Sequence, residues 1–371
     1  MATLNRWAEW RNRLLASHRV RRRLQRLPLT RPTARRRAAE LFAANAGFIN
    51  SQVLAACLEL ELLQRLQRRP RDAGTLAADL SLDPDRLERL LEAAAALQLL
   101  ERRPGKRWGL GPQGAVLLAD PGLLAMSLHH RALYDDLRDP VALLREDPPP
   151  TQLAALWPYA DTEQPERLGS DATERYTRLM AASQRMIAEQ VLGAYDFDRH
   201  EALVDVGGGS GAFLAAVAEA HPGLRLTLMD LPAVLPHARA ALRDRGLDER
   251  IRLVGGNFHH DDPPEDHDLA TLVRIVHDHD DEPARRLLQR VHDALPPGGT
   301  LLVAEPMLGR HDRDGLLGNY FRFYLMAMGS GRPRSPRELR RMLKKAGFER
   351  IRQHATDLPL ICGVISARKA S

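Results

Sequence analysis

His277 follows a run of apolar residues broken only by Arg274; Asp278 comes directly after it, and Glu305 closes the next apolar run. An imidazole at a strand end, facing a bound hydroxyl, is placed to take its proton. A carboxylate on a neighbouring strand end can fix the tautomer and stabilise the imidazolium. The competing readings are a loop histidine capping the helix at Pro283 and, for Asp278, a solvated acid. A second chemical feature lies upstream, where Leu203-Val204-Asp205-Val206 runs into Gly207-Gly208-Gly209-Ser210-Gly211 and then the helical pattern 212–220. A strand, a glycine turn and a helix in that order bring backbone N–H groups close to a ligand.

Gly207, Gly209 and Ala212 have the spacing of a dinucleotide fingerprint, a weak signal alone. Asp205 would face a pyrophosphate as an uncompensated negative charge, yet it suits a ligand bearing an ammonium group, as S-adenosylmethionine does. The run Leu224–Met229 ends in Asp230, about 20 residues on, where an acid can accept hydrogen bonds from both ribose hydroxyls; Leu231 follows. A third run, Ile251–Val254, leads into Gly255-Gly256-Asn257-Phe258 and offers an amide to an adenine edge with a ring beside it. A glycine turn that only packs helix on strand is the plainer alternative.

These groups need a scaffold. Strand patterns at Leu203–Val206, Leu224–Met229, Ile251–Val254, Leu269–Val276 and Thr300–Glu305 alternate with helical ones at 212–220, Ala233–Arg245 and Pro283–Ala294. Helices Leu316–Met328 and Pro336–Ala346 and strands Glu349–Ala355 and Pro359–Ala367 complete an open, doubly wound α/β sheet, with ligand and chemistry at the carboxyl ends of its strands. Asp171–Ala194 reads as one long helix entering the first strand. From Pro32 to about Asp139 the chain is helical: Ala34–Ala56 continued by Leu58–Leu66, then Gly74–Leu80, then Asp85–Leu99 with Asp83 as N-cap and Pro84 at the first helical position. Arg102–Leu110 reads as a two-stranded wing. This is winged helix-turn-helix grammar and raises DNA binding. Residues 85–92 nevertheless mix three acids with two arginines, which points to packing instead. With Glu146–Pro150 as linker, the divisions are a basic arm at 1–31, a winged-helix-like domain at 32–150 and an α/β domain at 151–371.

At 371 residues and 44% hydrophobic content, two domains are expected. Basic residues number 54 against 48 acidic, but residues 1–40 alone hold twelve Arg and two acids, so the rest of the chain is acidic by four. Trp7, Trp10 and Leu14 fall at helical spacing with Arg6, Arg11 and Arg13 on other faces, the pattern of a helix lying on an anionic bilayer surface. Nucleic acid and a second subunit are the rival partners. No apolar stretch reaches about 18 residues without a charge or amide, and no export signal opens the chain. The two cysteines, Cys57 and Cys362, give no disulfide framework, and a cytoplasmic protein is expected. The run His259-His260-Asp261-Asp262 with Glu265, Asp266, His267 and Asp268 has metal-ligating types. Pro263-Pro264 mark it as a surface loop, and no metal is expected.

Taken together, the glycine block, Asp230-Leu231-Pro232, Gly256-Asn257-Phe258, Arg274-Ile275-Val276-His277-Asp278, Pro297-Gly298-Gly299 and Glu305 resemble the S-adenosylmethionine-dependent O-methyltransferases of the plant caffeic acid and acetylserotonin type. That family places an N-terminal winged-helix dimerisation module before a class I methyltransferase domain, so the resemblance covers nearly the whole chain and implies a homodimer. Pro28–Pro32, Ser51-Gln52-Val53, His129–Tyr134, Trp157-Pro158-Tyr159 and Gly331–Ser335 are most similar to the branch acting on acyclic hydroxycarotenoids, the hydroxyneurosporene or demethylspheroidene type. The implied reaction is methyl transfer from S-adenosyl-L-methionine to a tertiary 1-hydroxyl.

By the same resemblance, Gly207 and Gly209 pass under the methionine part, Asp230 holds the ribose, Asn257 and Phe258 the adenine, and Arg274 lies along the cofactor; Asp205, Gly211, Leu231 and Gly256 beside them are further candidate cofactor contacts. His277 matches the catalytic base, Glu305 and Asp278 its supports, and Met180 a position near the transferred methyl; Tyr324 and Met326 are candidate walls of the substrate pocket. Asn257 departs from the family's Asp, and Pro333 stands where relatives carry a second glutamate. The rival functions are methylation of an aromatic or polyketide hydroxyl and a non-catalytic winged-helix regulator that binds the same nucleoside.

Overall fold

The Arg- and Ala-rich start folds into α1 (Ala2–Ala16), α2 (His18–Arg26) and α3 (Arg31–Glu59) in the computed structural model, which describes residues 2–156, 184–309, 315–359 and 361–371. By length and composition α3 is apolar enough to cross a membrane, with a window of mean hydropathy 1.4. The continuous pattern expected up to Leu66 breaks at Glu61, whose left-handed φ of 52° turns the chain into α4 (Leu62–Arg68). Then come β1 (Arg71–Asp72), α5 (Ala73–Leu80), α6 (Pro84–Ala96), β2 (Leu100–Arg103), β3 (Arg107–Leu110) and α7 (Pro112–Ala119). Asp83 caps α6 as expected, accepting from Arg86 N at 2.9 Å. β1 joins the β2–β3 hairpin in one three-stranded sheet. The acids of α6 turn to that hairpin: Glu88 accepts from Trp108 Nε1 at 2.9 Å, and Glu92 from Arg102 at 2.7 Å. Both acids are therefore spent on packing the hairpin.

The chain divides into two units, Met1–Ala119 and Asp120–Ser371, about thirty residues before the expected boundary at 150. The segment between is no linker. Its α8 (Pro121–Asp136), a 3₁₀ turn at Ala142–Leu144 and α9 (Gln152–Leu156) bury Leu133, Leu143 and Leu153 against Tyr324, Leu325 and Met328 of the second unit. Pro148–Pro150 misled because prolines mark a turn whether or not its flanks are buried.

Residues 184–194 form α10, the described part of the helix expected from Asp171; Trp157–Tyr159 and Met180 lie outside the described residues. The alternation then follows as β4 (Ala202–Val206), α11 (Ala212–Ala220), β5 (Arg225–Asp230), α12 (Leu235–Arg243), β6 (Ile251–Gly255), β7 (Leu269–Val273), α13 (Asp281–Ala294) and β8 (Thr300–Glu305). After α14 (Leu316–Met328), α15 (Pro336–Lys345), β9 (Phe348–His354) and β10 (Gly363–Lys369) close the chain. The seven strands stand in the order β6-β5-β4-β7-β8-β10-β9, with β10 antiparallel to both its neighbours. Phe213, Leu214 and Val217 of α11 pack one face; Leu287, Leu288 and Val291 of α13 pack the other. Helices on both faces explain why the central strands are buried and mostly apolar on both sides instead of alternating.

Candidate active site

Parallel pairing aligns the strand ends, with Val206 opposite Met229 and Val273 opposite Ala304. Every chemistry-bearing stretch therefore emerges along one sheet edge. Gly207, with φ of 75°, donates to Met229 O at 2.8 Å. A Cβ there would lie 2.6 Å from Ile275 Cδ1, whereas one on Gly209 would meet nothing within 4 Å. The open side of the turn is thus at Gly209, and Gly211 is packed against Leu228 and Leu242. Asp230 secures the turn, its Oδ2 accepting from Gly209 N and its Oδ1 from Leu231 N, both at 2.7 Å.

Asp205 lies beneath the turn, 1% exposed, accepting from Thr271 Oγ1 at 2.6 Å. Burial pushes its carboxyl up to about 7, partly offset by Thr271 and reinforced by the charge of Asp230. Burial likewise raises Asp230 to about 6 against the pull of its two N–H donors. Gly256 N donates to Asp230 O at 2.9 Å. Asn257 closes a local turn, its Oδ1 accepting from His259 N at 3.0 Å, so this oxygen is already engaged before any adenine edge arrives. Phe258 reaches back to the glycines, 3.5 Å from a Cβ on Gly207, and His259 lies tilted beside it at 4.7 Å between ring centroids. The other acids of that loop are used separately: Asp262 pairs with Arg290, Asp266 with Arg252, and Asp268 with His200.

β7 ends at Val273, three residues before its expected limit, because Arg274 takes a left-handed φ of 59° and Val276–Asp278 wind into a 3₁₀ turn. That turn carries His277 into the interior, where it is buried. Glu305 Oε2 accepts the His277 backbone N–H at 3.0 Å and lies 3.4 Å from Nδ1. Asp278 Oδ1 stands 3.1 Å from Nε2. Among the described residues His277 Nδ1 and Glu305 Oε1 are buried without a hydrogen-bond partner, so the 3.4 Å approach is an ion-pair contact and not a formed hydrogen bond. Glu305 thus holds His277 chiefly through its backbone. Burial alone would lower the imidazole's pKa, but Asp278 and Glu305 outweigh it and raise it above the ordinary value.

One wall of this site is aromatic. Phe321 sits edge-on to His277 at 5.9 Å, and Tyr320 stacks on Tyr324 at 5.5 Å. Met326 is 36% exposed, against 5% for Tyr324: two residues along a helix is a rotation of about 200°, so the structure does not bring the two together. His129 and His130, which sequence reasoning did not place at the site, reach Tyr324 Oη at 3.0 Å and Tyr320 Oη at 2.8 Å. Burial pushes His129 down to about 4, so it is neutral, and burial also lowers His130. His129–Tyr134 carried a family resemblance in the sequence, but nothing there joined the two histidines to α14.

Residues 134–349 match an O-methyltransferase domain and residues 43–120 an O-methyltransferase dimerisation domain. This chain belongs to the O-methyltransferase family. It is similar to the demethylspheroidene O-methyltransferase of Rhodobacter capsulatus, 43% identical with 96% of this chain and 88% of that one covered. It is likewise similar to that of Cereibacter sphaeroides, 41% identical with 97% and 94% covered. Among solved structures, human N-acetylserotonin methyltransferase in complex with SAM superposes with a TM-score of 0.73 at 26% identity, covering 90% of this chain and 98% of that one. This O-methyltransferase has a donor set that fits S-adenosylmethionine on its own evidence. Two buried carboxylates at adjacent strand ends, beside an open glycine turn, favour a ligand bringing positive charge and hydroxyl donors.

Proposed function

We propose that this O-methyltransferase moves the methyl group of S-adenosylmethionine to the tertiary 1-hydroxyl of an acyclic hydroxycarotenoid, with His277 as general base. The observation that carries the substrate class is the near full-length identity to the two demethylspheroidene O-methyltransferases. When bound, the donor supplies a methyl group already activated on a sulfonium. The glycine turn, Asp230 and Phe258 hold it, and the wall of Tyr320, Phe321 and Tyr324 adjoins the base.

A tertiary alcohol is far too weak an acid for neutral imidazole to deprotonate outright. His277 therefore takes the proton as the oxygen–carbon bond forms, and Asp278 and Glu305 stabilise the imidazolium. Fixing the reacting atoms in line contributes up to roughly 7–11 kcal/mol. Incubation with methyl-labelled S-adenosylmethionine is expected to label a 1-hydroxylated acyclic carotenoid and no simple phenol. Label appearing only in phenols would move the substrate to the aromatic class.

The dimerisation domain leaves Leu41, Phe42, Phe48 and Ile49 of α3 exposed in the single chain, and a second copy of this chain covers them in a homodimer. The arm has a different partner. Residues 1–31 hold nine Arg and one acid and precede the matched dimerisation region, yet the two demethylspheroidene relatives match so much of the chain that part of the arm is included. Trp7 and Trp10 are 57% and 60% exposed. An anionic bilayer attracts such a segment by about 1 kcal/mol per basic residue at its surface, and a polyene substrate resides in that bilayer. Deleting residues 1–31 is expected to abolish sedimentation with phosphatidylglycerol vesicles while the dimer persists. Retained vesicle binding with loss of the dimer would make the arm a subunit contact.

A further inference from the structure

The turn that carries His277 has four consecutive backbone carbonyls, and a single five-residue stretch supplies a donor to each. Val276 O accepts from Arg334 Nη1 at 2.6 Å, His277 O from Arg332 N at 2.9 Å, Asp278 O from Ser330 Oγ at 2.8 Å, and His279 O from Arg334 Nη2 at 2.8 Å. Gly331 lies so close that a Cβ would stand 2.3 Å from His277 O, and its φ of +88° already disfavours any side chain.

Arg334 is the centre of this arrangement. It is 0% exposed and long enough to have reached solvent, yet its guanidinium is turned inward, with Nη2 also on Asp281 Oδ1 at 2.9 Å. Its own carbonyl accepts from Leu308 N at 3.0 Å, beside a bridge to Met307, so it is tied to the chain that leaves β8 just after Glu305. A planar fork presents donors from two fixed nitrogens to two carbonyls three residues apart and to a carboxylate, whereas an ammonium must serve all three from one atom. The stretch also joins α14, which bears the aromatic wall, to α15, whose capping box of Ser335 and Glu338 fixes its far end.

We propose that Ser330–Arg334 is the positioning element of the base, with Arg334 its principal positioning residue, setting the backbone from which His277 meets the substrate hydroxyl. This rests on the role of His277 proposed above. Glu305 holds the N–H of His277 and Arg332 its C=O, so the peptide on each side of the imidazole is anchored.

The test compares Arg334→Lys, Ser330→Ala and His277→Ala in the full-length enzyme, reading kcat, KM, affinity for S-adenosylhomocysteine and the pH–rate profile. Misplacing a base by about 1 Å costs on the order of 100-fold. The lysine variant is therefore expected to lose about that much in kcat at little-changed KM and nucleoside affinity. The acid limb of its profile should move as the imidazole leaves its two carboxylates. The milder Ser330→Ala, which removes one hydroxyl and folds, is expected to lose severalfold in kcat alone. Wild-type kcat and pH profile in both variants, with His277→Ala inactive, overturn the positioning role. Wild-type turnover in His277→Ala overturns the base itself.

Discussion

Replacing His277 by alanine lowers kcat by at least about 100-fold and leaves the affinity for S-adenosylhomocysteine unchanged, the expected outcome for a general base that contacts only the acceptor. The glycine turn, Asp230 and Phe258 do not depend on its imidazole. Its buried surroundings also dictate a pH dependence. The base must be neutral to accept a proton, and the carboxylates of Asp278 and Glu305 raise its pKa above the ordinary imidazole value. Half-maximal kcat therefore falls at a higher pH than for a free histidine, and activity is lost as pH drops through that point. A kcat profile with its acid midpoint at or below the ordinary value contradicts the environment described; wild-type turnover in the alanine variant removes His277 from the chemistry.

Replacing Asp230 by alanine is expected to weaken nucleoside binding by at least about 100-fold. The substitution strips the acceptors from the half-buried N–H groups of Gly209 and Leu231, so the turn loses what holds its shape. A hydrogen bond to a charged acceptor contributes about 1.5–3 kcal/mol, so losing those expected from the ribose hydroxyls, about 3 kcal/mol together, is roughly a factor of 100 in affinity. The ligand-free enzyme holds Asp230 at about 6 and Asp205 at about 7 because both are buried. A ligand that brings cations and donors favours the ionised forms. Binding to the wild type therefore strengthens as pH rises through this range and releases protons, and the Asp230 variant releases fewer. Calorimetry in buffers of different ionisation enthalpy measures both; affinity within about threefold of wild type would show that Asp230 neither shapes the turn nor meets the ribose.

The parallel core and its site edge were legible because short-range rules govern them. Apolar runs that end in an acid or a glycine cluster read as buried strands, and parallel order with helical crossovers puts their carboxyl ends together. The early end of β7 was not legible. Ile275 and Val276 are good strand residues, but Arg274 takes a left-handed φ and the distant Arg334 holds the Val276 carbonyl in the turn that follows. The domain boundary was misplaced for a similar reason, since Leu143 and Leu153 find their partners on α14, far along the chain.

The amino-acid sequence by itself determined the order of elements, the glycine turn with Asp205 and Asp230 at neighbouring strand ends, and the placing of His277 and Glu305 at the carboxyl ends of adjoining strands, because backbone propensity and burial period act within a few residues. Only the tertiary structure decided that Asp278 meets Nε2 of His277, that Glu305 holds the base by its peptide N–H, that Asn257 closes its own turn, and that a buried Arg334 grips the carbonyls on either side. These depend on side-chain directions and on contacts between residues more than fifty positions apart, where desolvation leaves each polar group to find whichever partner the packing brings.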